Sequence, residues 1–297
     1  MMKRRKIWVG LSTAVLAATP ATAKAAAETT LPAKPAMEAK AGQDALTKLA
    51  QHKGHGAEGG KSAGAKASAA SGGEGDEGSG GRASELPIPL RLYRDIGLIR
   101  GHLLVGNELV EAGRWAEALP HFLHPEEEIY PGMRENLKTF NVAPFQTALK
   151  ALSQTVKAKN KEAYARARAA LEERVAAAEA SVSGKEANLP YFTLETVMEI
   201  LQTASSEYEE ALKGDRIANV VEYQDARGFV FEADRLIAAQ ADALAAKNAD
   251  AVKTIRASLS DLKSAFPAPM PPRQAVKNTG QFLSDLSKIE LQLSSLR

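Results

Sequence analysis

From Leu86 onward, apolar residues return at every third or fourth position, and no run alternates with period two for long enough to argue for a strand. The pattern predicts helices over 90–112, 114–123, 142–158, 161–182, 192–213, 216–246, 249–265 and 275–295. The breaks carry helix-stop chemistry. Gly113 and Gly214 follow helix ends, Asn160 and Asn248 sit in tight turns, and 266-FPAPMPP-272 admits no helix. Short connections make neighbouring helices antiparallel. The expectation is therefore an all-α fold of helical hairpins in one or two four-helix-bundle-like units, divided as 85–183 and 184–297.

Two internal patterns refine that picture. In 158-AKNKEAYARARAAL-171 and 246-AKNADAVKTIRASL-259, A-K-N, an alanine and R-A-x-L fall in register. Upstream, 113-GRWAEALPHFLH-124 can be laid on 214-GDRIANVVEYQD-225, which suggests a duplicated unit whose first copy carries an insertion around Pro125–Pro144. Separately, Gly106, Leu109, Gly113, Trp115, Ala118 and Phe122 fall where a tetratricopeptide hairpin places its small and large packing residues. Only one such unit is present, and Pro120 would remove a hydrogen bond inside its second helix, so this reads as a single hairpin and not an array.

The first 84 residues follow different rules. A basic start, 3-KRRK-6, the short apolar run 7-IWVGLSTAVLAA-18 and the small residues of 19-TPATAKAAA-27 predict a secretory signal peptide over 1–23. That run is too short to span a bilayer comfortably, and no later segment is longer and apolar, so the mature chain is expected in the periplasm with no membrane span. Residues 24–84 have almost no large apolar side chain and end in 71-SGGEGDEGSGGRAS-84, the composition of a disordered Ala/Gly/Lys-rich tether. Within it, 37–51 could form a short helix, and His52 and His55 could bind metal weakly.

Composition narrows the chemistry. With no cysteine, disulfides, thiolate metal sites, c-type haem attachment, lipoprotein acylation and cysteine nucleophiles all fall away. A formal net charge of +2, part of it in the signal segment, gives no electrostatic case for nucleic acid. There is no G-x-S-x-G, no phosphate-cradling glycine loop and no H-E-x-x-H, so enzymatic activity is not expected.

What remains is a nitrogen-and-oxygen metal site. The segment 117-EALPHFLHPEEEIYPG-132 holds two histidines and three consecutive glutamates. The duplication places His121 and His124 opposite Glu222 and Asp225, and each pair is spaced i, i+3, which puts both side chains on one helix face. Imidazoles and carboxylates projecting inward from facing helices are how bundles hold iron, manganese, copper or zinc. Glu126, Glu127 and Glu128 follow at once, and His102 on the preceding helix could reach the same place. A plain structural reading stays open: His124 before a proline can cap a helix start, Glu126–Glu128 suit a first turn, and His102 and His121 can be half-buried hydrogen-bonding residues.

The stretch 208-YEEALKGDRIANVVEYQDARGFVFEA-233 resembles the helical periplasmic domains attached to bacterial FTR-type iron permeases. There a Gly-Asp/Gly-Lys-Ile/Val turn precedes a Glu-Tyr-Gln-Glu/Asp helix, matched here by 214-GDRI-217 and 222-EYQD-225. More loosely, the whole is similar to imelysin-like iron-uptake proteins, although their G-x-H-x-x-E is not met by 101-GHLLVGNE-108. The resemblance implies periplasmic iron or copper handling beside a membrane metal permease, with Glu222 and Asp225 as the carried-over positions. The competing expectation is a helical scaffold that docks another envelope protein through a groove at Trp115 and Phe122.

Overall fold

Helix α1 (Ile88–Glu111) is buried on nearly every side from Leu92 to Val110. A helix buried all round lies at the centre of its domain, here with the charged and polar Arg94, Asp95 and His102 buried along it. The computed structural model describes residues 85–297 and puts α1 there. The expected signal peptide, the tether with its short helix, and His52 and His55 lie outside the described residues.

The fold is all-α. After α1 come α2 (Trp115–Ala118), α3 (Pro120–His124), a π-helical turn (Pro125–Ile129), α4 (Tyr130–Thr139), α5 (Gln146–Lys157) and α6 (Lys161–Ser183). Then follow α7 (Leu189–Ala211), α8 (Val220–Lys263), α9 (Thr279–Glu290) and a closing 3-10 turn at Leu293–Leu296. One continuous hydrophobic core runs through all of these helices, and α1 packs on both α7 and α8. The boundary expected between residues 183 and 184 falls at the end of α6, before α7 begins. In contrast to α1, α6 buries only the stripe Tyr164, Leu171, Val175, Ala178 and Val182 and forms an outer wall.

Helix α8 is two limbs. Asn248 leaves helical geometry (φ −155°, ψ 98°), and its Oδ1 accepts from the Ala251 amide at 3.1 Å, capping a new helix start. The chain then folds back: Lys263 pairs with Asp234, and Tyr223 Oη donates to the Ala268 carbonyl. The sequence expectation of separate helices over 216–246 and 249–265 is met by these limbs. Asn160, in the equivalent A-K-N turn before α6, caps in the same way, with Oδ1 accepting from Ala163 at 3.0 Å.

Three features depart from the expected helices. The helix expected at 114–123 is divided into α2 and α3, because Pro120 has no amide proton to continue α2. Helix α4 lies inside the segment taken as an insertion; its first three residues, 130-YPG-132, form a helix start whose proline and glycine read in sequence as a loop. A two-residue antiparallel ladder, β1 (Leu212–Lys213) with β2 (Arg216–Ile217), closes on Gly214 at φ 63°; it trims the expected end of the helix before it and the expected start of the helix after it. Two residues per strand are too few to show a period.

Candidate metal centre

Glycines set where α1 meets α8. A Cβ on Gly228 would overlap the Gly101 carbonyl, and one on Gly101 would stand 3.0 Å from the Gly228 carbonyl carbon. Only bare backbones approach this closely. His102 is the next residue on α1 and Asp225 lies one turn before Gly228 on α8, so the crossing drives one side chain onto the other.

His102 Nδ1 lies 2.8 Å from Asp225 Oδ1, and His121 Nδ1 lies 2.7 Å from the same oxygen. All three side chains are fully buried. One ligand-capable atom from each falls within 4.8 Å of the others. His124 adds a third imidazole: its Nδ1 stands 3.3 Å from Asp225 Oδ2, and neither atom has a hydrogen bond. Phe229 closes the site with its ring edge-on to His102, centroids 5.0 Å apart.

The electrostatics follow from this packing. Burial would push the Asp225 carboxyl up, but the charges and hydrogen bonds of His102 and His121 outweigh it and hold Asp225 well below the usual carboxylate range. For His124, burial favours the neutral ring. The Asp225 carboxylate, with Glu128 behind it, outweighs that and the opposing His102, and its value is raised.

His121 is held from both ends. Its Nε2 lies 2.9 Å from Gln224 Oε1, and Gln224 Nε2 donates to the Pro269 carbonyl at 3.1 Å, which fixes the orientation of the amide. Gln224 Oε1 thus faces His121 Nε2 as a fixed acceptor. A histidine that ligates a metal through one nitrogen characteristically donates the other N–H to an oxygen. Gln224 supplies that oxygen, and the proline-rich segment after α8 supplies the support for Gln224.

The predicted ligands divide accordingly. His102, His121, His124 and Asp225 are brought together. Glu222 lies one turn before Asp225, about 4.5 Å back along the helix axis, and accepts from Asn219 Nδ2 at 2.9 Å at the start of α8. It does not join the converging group. Glu128 is half-buried on the π-helical turn and acts on His124 through its charge. Sequence reasoning passed over Gln224, Gly101 and Gly228. The visible signals were the small-residue spacing Gly97-x-x-x-Gly101 beside His102, and the glutamine within 222-EYQD-225.

The groove expected at Trp115 and Phe122 is filled by the chain itself. Both residues are buried, and the Tyr164 ring packs edge-on against each, with centroids 5.6 and 6.1 Å away. The close approach expected at Gly106 is present, since a Cβ there would lie 2.8 Å from the Phe122 ring.

The carboxylate half of the site lies on a helix that also carries a wider likeness. Residues 183–297 match the family model of the iron permease-associated 4-helix bundle domain. The matched span contains α7, the two limbs of α8 and α9, four helical rods in agreement with that description. Asp225, Gln224 and Gly228 fall inside the matched bundle domain, whereas His102, His121 and His124 lie before it. No curated protein and no solved structure matches the chain.

The residues fit a metal ion. Three imidazoles and a carboxylate form a donor set without thiolate, suited to iron, manganese, copper(II) or zinc, and two histidines with one carboxylate are a set typical of non-haem iron. Two buried ligand-type atoms, His124 Nδ1 and Asp225 Oδ2, lack hydrogen bonds, which is the condition a metal would relieve.

Proposed function

We propose that the protein is a periplasmic, non-enzymatic metal-binding protein that hands iron to, or receives it from, a membrane iron permease. His102, His121, His124 and Asp225 hold the ion, with Gln224 orienting His121. The observation that carries the reading is the convergence of three imidazoles on one fully buried carboxylate. The match to the iron permease-associated bundle favours iron over copper or zinc as the cargo and a permease as the partner. No helix among the described residues is long and apolar enough to cross a membrane, consistent with a partner that supplies the membrane passage. The export signal read at the chain start supports the periplasm.

The test is anaerobic titration of purified protein with Fe(II), and in parallel with Cu(II), Zn(II) and Mn(II). The expected result is one equivalent of iron bound by the wild type, and loss of that binding in His121→Ala/His124→Ala with the fold retained by circular dichroism. Equal iron uptake by the double variant would refute the site.

A further inference from the structure

Three consecutive glutamates follow His124, and the structure gives each a different surrounding. Glu126 accepts from Ser153 Oγ at 3.3 Å, Glu127 is exposed, and Glu128 is half-buried. The segment is a π-helical turn, Pro125–Ile129, whose wider i→i+5 bonding places residues four to five apart on one face. His124 and Glu128 are so spaced. Of the three imidazoles, those of His102 and His121 are sealed, with no exposed side-chain surface, while 11% of the His124 side chain remains exposed. His124 Nδ1 in turn faces Asp225 Oδ2, and both atoms lack hydrogen bonds.

We propose that Glu128 and His124 form the route by which a cation reaches the buried centre, Glu128 receiving it near the surface and His124 passing it inward to Asp225. This rests on the metal-binding reading above and adds the order in which the residues act. A carboxylate near the surface raises the local cation concentration. The neighbouring imidazole offers a nitrogen donor as water is shed, and Asp225 then draws the ion between His102 and His121. The Glu128 charge acts on His124, four residues before it on the same turn.

Stopped-flow mixing of the full-length protein with Co(II), read by the visible absorption of the bound ion, tests the route. Glu128→Gln should slow association about tenfold while changing dissociation by less than about threefold, since a charge at the mouth of the route acts mainly on the on-rate. Added salt should slow the wild type and have less effect on Glu128→Gln. Glu127→Gln should change association by less than about twofold, since an exposed charge contributes only to the general surface potential. Unchanged association in Glu128→Gln overturns the proposal. So does a loss of affinity through faster dissociation alone, which would make Glu128 a ligand, or an equal effect of Glu127→Gln. A wild type that takes up no Co(II) overturns the metal centre itself, and that result appears before any variant is compared.

Discussion

Gly101 on α1 and Gly228 on α8 lie backbone against backbone, and their contact places His102 on Asp225. Rigid backbone atoms surround the missing Cβ of Gly228, so no side-chain rotation can make room for a methyl group. Gly228→Ala should therefore destabilise the fold by about 1–3 kcal/mol and weaken metal binding by separating the two helices. Gly280→Ala is the contrast: its Cβ would meet only Asn278 Oδ1 at 3.4 Å, near the exposed start of α9. There alanine should be neutral or stabilising by up to about 1 kcal/mol. Urea midpoints of the two variants check the difference, and a Gly228→Ala midpoint equal to wild type would mean the crossing is not as tight as described.

Gln224 makes no contact with a metal in this account; it positions His121. Gln224→Ala should leave the ligand set intact and lower iron affinity by about 10- to 100-fold. The stoichiometry should stay at one. Competition against a chelator of known affinity measures the change, and an affinity equal to wild type would remove Gln224 from the site.

Asp95 gives the fold a pH dependence unrelated to the metal. Its buried carboxyl is pushed up to about 6 by burial, against the pull of Arg94 and Arg91. A value raised above the unfolded one means that the folded state prefers the protonated form. The associated stability is full below about pH 4 and is lost as pH rises through about 6. Between those limits the wild type should lose roughly 2–3 kcal/mol relative to Asp95→Asn, which cannot titrate. Denaturation midpoints at a series of pH values test this; a constant gap between the two proteins would contradict it.

The all-α architecture was legible because helical periodicity is written locally, and Asn160 and Asn248 announce their turns by cap chemistry. Helix α4 was hidden, since a proline and a glycine at its start look like a loop when the packing of Tyr130 on Phe145 is unknown. The site was half legible. His121 and His124 drew notice by clustering, and Asp225 through a repeat that also raised Glu222. That comparison aligns positions along a helix and says nothing of which carboxylate faces inward; the Gly101–Gly228 crossing chose Asp225. Gln224 became recognisable only when the Pro269 carbonyl, distant in sequence, was seen to fix its amide.

The most direct test is anomalous diffraction at the iron edge from crystals grown anaerobically with Fe(II). A single peak should appear about 2 Å from an Asp225 carboxylate oxygen and in bonding contact with at least two of His102, His121 and His124. Iron-soaked crystals without a peak there, in which Asp225 Oδ1 still accepts from both His102 and His121, would show a buried hydrogen-bond network with no metal to hold.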